Sequence, residues 1–138
     1  MDLSSTLQPN PDRFRHSAGA GQSVLVVDDS RAQRRMLTVQ LTRWGYRVTE
    51  AESGEAALRL LTDTGFDLIL SDWMMPGMSG LEFCRAFRAL GRESYGYFIL
   101  LTSKSDEAEV ADGLEAGADD FLTKPVSADE LRARLRAG

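Results

Sequence analysis

The stretch Ser23-Val24-Leu25-Val26-Val27-Asp28-Asp29-Ser30 (SVLVVDDS, residues 23–30) decides the fold of this chain. Its apolar run is continuous, which is the pattern of a strand buried on both faces, as in a parallel sheet covered by helices. Two carboxylates follow at once. Ser30 then offers a helix N-cap, Leu37, Leu41 and Trp44 recur at helical spacing, and Gly45 supplies the stop. A strand, an acidic turn and a helix in immediate succession form the first part of a βαβ unit.

Outward from that stretch the same alternation repeats. YRVTEA (46–51) reads as a second, less buried strand, and Ser53 opens a helix with Ala57, Leu58 and Leu61 inward. FDLILSD (66–72) is the third strand. Ser79-Gly80-Leu81-Glu82 has the spacing of a capping box, with Phe83, Phe87 and Leu90 as the inner face of the third helix. YFILLT (97–102) is the fourth strand. Ser105, Asp106 and Glu107 open a fourth helix with Val110 and Leu114 inward, and Gly117 ends it. DDFLT (119–123) is the fifth strand. Ser127-Ala128-Asp129-Glu130 is a second capping-box spacing, opening a short last helix with Leu131 and Leu135 inward. Five strands alternating with five helices predict an α/β fold, a doubly wound five-stranded parallel sheet with helices on both faces.

Composition bounds the rest. The 138 residues suit one domain and a tail: residues 1–22, rich in Ser, Pro, Asn, Gly and Gln, read as a flexible N-terminal tail, and 23–138 as the domain. His16 falls in that tail, without converging partners for a site. The formal net charge of -5 argues against direct nucleic-acid binding, which needs clustered Lys and Arg. The single cysteine, Cys84, excludes an internal disulfide, suits a reducing, cytoplasmic compartment, and is expected at a helix–sheet interface. No apolar run approaches the roughly 20 residues of a membrane span, and the first residues lack a signal-peptide core.

The chemistry sits at strand ends. Asp28 and Asp29 follow the first strand, and Asp72 ends the third. In doubly wound sheets, ligands lie beyond the carboxyl ends of the strands. Neighbouring first and third strands would bring three carboxylates together, and hard oxygen donors without His or Cys point to Mg²⁺. Thr102 ends the fourth strand and Lys124 follows the fifth, adding a hydroxyl and an ammonium for a small dianion. A carboxylate there can serve as a nucleophile toward a phosphoryl group. Each feature alone also has an ordinary reading: Ser30 a helix cap, Asp72 a turn residue before Pro76-Gly77, Lys124 a solvated lysine, Phe121 plain core.

The order DD (28–29), DWMMPGMSG (72–80), LTS (101–103), GADDFLTKP (117–125) resembles the receiver domains of two-component response regulators, across roughly residues 22 to 138. The resemblance implies a flavodoxin-like strand order 2-1-3-4-5, which receivers share with flavodoxin. It implies that Asp72 is the phosphoacceptor, that Asp29 ligates Mg²⁺ directly and Asp28 mainly through water, and that the Met74 backbone carbonyl is a further ligand. Thr102 and Lys124 would contact the phosphoryl group, and Phe121 would be the aromatic of the switch. Lys124-Pro125 would be a cis peptide. Met74 and Lys104 would overhang the phosphoryl group and tune its lifetime. The implied partners are a sensor histidine kinase or phosphotransfer protein, an output domain or downstream protein, and a second copy of the chain through helix 4, strand 5 and helix 5. The implied setting is bacterial. The implied chemistry is confined to the domain's own phosphorylation and dephosphorylation, so it is not an enzyme acting on other substrates. The last helix looks like one that runs on into an output domain in multidomain regulators.

Three rival readings meet obstacles in the sequence. A haloacid-dehalogenase-like phosphohydrolase would carry Asp-x-Asp on its first strand, where this chain has adjacent Asp28-Asp29. A nucleotide-binding protein would place its glycine-rich loop after that strand, whereas Gly19-Ala20-Gly21 precedes it. A degenerate, docking-only receiver would lack Asp72, Lys124 or one of the acidic pair.

Overall fold

The computed structural model describes the backbone of residues 21–91, 96–103 and 107–138, and the side chains of all of these but 107–110. His16, Lys104, Ser105 and Asp106, and the side chain of Val110, lie outside the described residues. The elements run β1 (Ser23–Val27), α1 (Arg31–Arg43), β2 (Arg47–Ala51), α2 (Gly54–Asp63), β3 (Leu68–Asp72), α3 (Gly80–Ala89), β4 (Tyr97–Thr102), α4 (Glu107–Glu115), β5 (Asp120–Thr123) and α5 (Ala128–Ala137). All neighbouring strands pair in parallel in the order β2-β1-β3-β4-β5. This is the doubly wound parallel architecture that the alternation of elements predicts, in the flavodoxin-like strand order that the resemblance implies.

The period of two in a strand sorts the core into two layers. Val24, Val26, Leu68, Leu70, Ile99, Leu101 and Leu122 face one side, against Leu41 of α1 and Leu131 and Leu135 of α5. Leu25, Val27, Ile69, Phe98 and Leu100 face the other, against Ala57 and Leu61 of α2 and Phe83, Cys84 and Phe87 of α3. The central strands are apolar on both faces because both faces are covered. Edge strand β2 is only half-buried over most of its length. Cys84 is fully buried in the helix–sheet layer, and burial pushes its thiol up to about 11.

Local signals act where the sequence places them. Ser30, Ser53, Ser79 and Ser127 each accept a bond from the backbone N–H three residues on. Ser79 and Glu82 form the reciprocal capping box, whereas at Ser127 only the N-cap half forms. Gly45 and Gly117 have φ of 95° and 108°, a left-handed conformation that glycine adopts without Cβ strain. The third strand begins at Leu68, two residues later than its apolar run suggests, because the ladder with β1 starts at Val24↔Leu68. Gly21 and Gln22, read as tail by composition, are tied to β2: the Arg47 side chain donates twice to the Gly21 carbonyl, and the Arg47 N–H donates to the Gln22 carbonyl.

One expected core residue is displaced. Leu114 is 51% exposed, not inward. The buried positions of this segment are Gly113 and Ala116. The Phe121 ring already occupies the space beside Gly113, where even a Cβ would collide with it. A large side chain therefore has no room on that face, and Leu114 points outward.

Candidate functional site

The site is built by the sheet's carboxyl edge. β3 lies between β1 and β4, so its last residue, Asp72, sits at the middle of that edge. Beside it, the Asp28 N–H donates to the Ala51 carbonyl at 3.2 Å, which fixes the chain just past β1. Asp28 and Asp72 are buried and Asp29 is exposed. One carboxylate oxygen from each of the three lies within 4.8 Å of the others.

Such proximity has an electrostatic consequence. The Asp28 carboxyl is held above the ordinary aspartate range, chiefly by burial, with the Asp72 and Asp29 charges adding to it. The Ser30 N–H, donating to Asp28 Oδ1 at 2.8 Å, and the Lys124 charge oppose the shift. A cluster that penalises its own negative charge is one that a cation would relieve.

Lys124 reaches in from the far side. Its Nζ donates to Asp72 Oδ1 at 2.9 Å and to Gln33 Oε1 at 3.1 Å. Its backbone N–H donates to the Thr102 carbonyl at 2.7 Å, which ties the end of β4 to the turn after β5. Thr102 is buried, and the Lys124-Pro125 bond is cis, as the resemblance implies. The loop after Asp72 is also anchored. The Trp73 N–H donates to the Leu101 carbonyl, and the Gly80 N–H donates to the Trp73 carbonyl. A Cβ at Gly80 would collide with the Asp72 carbonyl, so only glycine lets α3 start so close to the site.

The structure therefore brings Asp28, Asp29, Asp72 and Lys124 together, with Thr102 at the adjoining strand end. Met74 follows with a 56% exposed side chain. Phe121 is half-buried, its ring centroid 5.8 Å from that of Trp73. Sequence reading misses three participants: Gln33, Arg34 and Glu50. Gln33 shares Lys124 with Asp72. Arg34 donates from Nη1 to the Asp28 carbonyl at 2.8 Å and from Nε to Glu50 Oε1 at 3.2 Å. Each bonds a residue outside its own element, so no local pattern marks them.

Residues 24–136 match the family model described as the response regulator receiver domain. The chain belongs to that family. The receiver domain is 46% identical over 115 residues to the transcriptional regulatory protein AfsQ1 of Streptomyces coelicolor, covering 83% of this chain and 50% of that protein. The chain spans about half the length of the curated relatives it matches. Among solved structures, the chemotaxis protein CheY4 of Vibrio cholerae superposes with a TM-score of 0.80 at 34% identity, covering 86% of this chain and 98% of that one. The receiver domain of sensor histidine kinase PA1611 of Pseudomonas aeruginosa, whose structure is described as holding a magnesium ion in the active site cleft, superposes with a TM-score of 0.77 at 32% identity, covering 86% and 97%.

Proposed function

We propose that this receiver domain is a magnesium-dependent switch that accepts a phosphoryl group on Asp72. The observation that carries the reading is the meeting of three carboxylates with the Lys124 ammonium at the middle of the sheet's carboxyl edge. The donor set suits Mg²⁺, being all hard oxygen: Asp28, Asp29, Asp72 and, by the family resemblance, the Met74 carbonyl. The magnesium-bearing receiver noted above supports the same choice. When bound, Mg²⁺ offsets the carboxylate repulsion and polarises phosphoryl oxygens.

The protein's own groups do the rest. An Asp72 carboxylate oxygen forms a bond to phosphorus as the donor's bond to phosphorus breaks, and the leaving imidazole or amine keeps that electron pair and takes a proton. Lys124, already within hydrogen-bond distance of Asp72, is placed to pair with a phosphoryl oxygen. The Thr102 hydroxyl supplies a neutral donor. The product adds about two negative charges to the sheet edge. Thr102 then moves toward the phosphoryl group and Phe121 turns inward, changing the surface of α4, β5 and α5.

The donor in this reading is a sensor histidine kinase or a phosphotransfer protein in the bacterial cytoplasm. The recipient is an output domain, a downstream protein or a second copy docking on α4, β5 and α5. The domain is not an enzyme toward other substrates. Its net charge of -5 leaves any contact with DNA to an output domain. Met74 offers no strong hydrogen-bonding group on its side chain to orient an in-line water, so the phosphorylated form should be long-lived, and Met74→Asn should shorten its lifetime. Phosphoramidate with Mg²⁺ should add one phosphoryl group to the wild type and none to Asp72→Asn. Equal labelling of both proteins, or labelling that ignores removal of Mg²⁺ by a chelator, would refute the reading.

A further inference from the structure

The acidic turn is held from behind by a part of the molecule that takes no part in the chemistry above. Arg34 lies in the first turns of α1 and its side chain is only 13% exposed. Its guanidinium faces two ways: Nη1 donates to the Asp28 carbonyl, and Nε pairs with Glu50 on edge strand β2. Glu50 is itself fixed, since its second oxygen accepts from Thr38 Oγ1 at 2.8 Å and from Arg35 Nη1 at 3.0 Å. Asp28 is thus held at its N–H by Ala51, at its carbonyl by Arg34 and at its carboxylate by the Ser30 N–H.

We propose that Arg34 is a positioning residue for the cation site: braced by Glu50, its guanidinium clamps the Asp28 carbonyl and so holds the Asp28 and Asp29 carboxylates toward Asp72. The proposal rests on the magnesium reading of the same site. A pair that merely tied α1 to β2 would need no second bond from Arg34 into the acidic turn, and a partly buried ion pair is by itself weak evidence for stability. The planar fork of arginine suits the task because one guanidinium bonds two acceptors in fixed directions, which an ammonium does not.

Electrostatics gives the test its sign. A guanidinium near three carboxylates repels a second cation. If Arg34 acted by charge alone, Arg34→Gln would tighten Mg²⁺ binding. If it positions the turn, Arg34→Gln weakens Mg²⁺ binding, by about 10-fold to 100-fold as for other groups that orient metal ligands. Arg34→Lys, which keeps the charge and loses the fork, weakens it as well. Glu50→Gln, nearly isosteric and the safer variant for folding, weakens it less.

The measurement is Mg²⁺ titration of the intact chain, followed by Trp73 emission, beside a urea unfolding curve for each variant. Arg88→Lys is the control. Arg88 makes a comparable clamp, to the Gly117 and Gly96 carbonyls and to Asp119, on residues that hold no proposed ligand. It should lower the unfolding midpoint and leave Mg²⁺ affinity unchanged. The proposal is overturned if the Arg34 variants and Glu50→Gln lose stability and keep wild-type affinity, or if Arg34→Gln binds Mg²⁺ more tightly. A wild type without any Mg²⁺ response would instead refute the cation reading, and the clamp's role with it.

Discussion

At the scale of single residues, the site places opposing electrostatic demands side by side. Asp28 is held above its ordinary range by burial and by the Asp72 and Asp29 charges, whereas Glu50 is held below its own. Burial alone would raise Glu50, but bonds from Thr38, Arg34 and Arg35 outweigh it. The consequence for stability has a definite sign. A folded-state value below the unfolded one means that the unfolded chain binds more protons between the two, so stability there rises with pH. The Glu50 contribution is complete above the ordinary glutamate range and is lost as pH falls through its lowered folded value. Glu50→Gln should therefore flatten the acid limb of a plot of stability against pH, measured by urea unfolding, relative to wild type. An unchanged limb would show that the three bonds do not stabilise the ionised form. The residues hardest to read from sequence belong to this same network. Arg34 and Glu50 lie 16 positions apart on different elements, and an arginine early in a helix ordinarily reads as solvated. Gln33 is equally silent, because its bond to Lys124 spans 91 positions.

At the scale of elements, the pattern of apolar residues is a reliable guide where both neighbours of an element are simple. β1, β3 and β4 are legible as continuous runs because each is covered on both faces. The starts of α1, α2, α3 and α5 are legible because each serine N-cap is a local device. Leu114 defeats the pattern because helical periodicity registers size and spacing only. It carries no information that Phe121, on another element, fills the space over Gly113. The start of α3 shows how tightly element and site are joined. Gly80 opens the helix against the Asp72 backbone, and the atoms that a Cβ would meet are main-chain atoms, which cannot rotate away. Gly80→Ala should cost about 1–3 kcal/mol of stability by overpacking, and it should slow phosphorylation by shifting Asp72. Ser79→Ala, which removes only the capping bond one residue earlier, should cost about 1 kcal/mol and leave the phosphorylation rate nearly unchanged. Urea unfolding and phosphoramidate kinetics on both variants check the contrast, and a Gly80→Ala protein with the wild-type rate would show that the close approach does not set the position of Asp72.

At the scale of the whole molecule, the parallel order β2-β1-β3-β4-β5 explains why carboxylates far apart in sequence share one site. It sets the end of β1 beside the end of β3, and the end of β4 and the turn after β5 on the other side. The architecture and the four converging residues are legible because each sits at the end of a recognisable strand. Among the described residues, no helix is long and apolar enough to cross a membrane. The same architecture puts the Phe121 ring of β5 against Gly113 of α4 on one side and 5.8 Å from the ring of Trp73, which follows Asp72, on the other. A phosphoryl mimic such as beryllofluoride with Mg²⁺ should therefore alter hydrogen exchange across β5 and its flanking helices, and leave β1 and α2 little changed. A response confined to the loops around Asp72 would contradict a switch at that surface. A bond between Asp72 and phosphorus can be read directly. The protein is treated with phosphoramidate and Mg²⁺, the acyl phosphate is reduced with borohydride to leave homoserine, and the peptides are mapped by mass. Homoserine is expected at position 72 alone; homoserine at Asp28 or Asp29, or none anywhere, would rule out Asp72 as the sole phosphoacceptor.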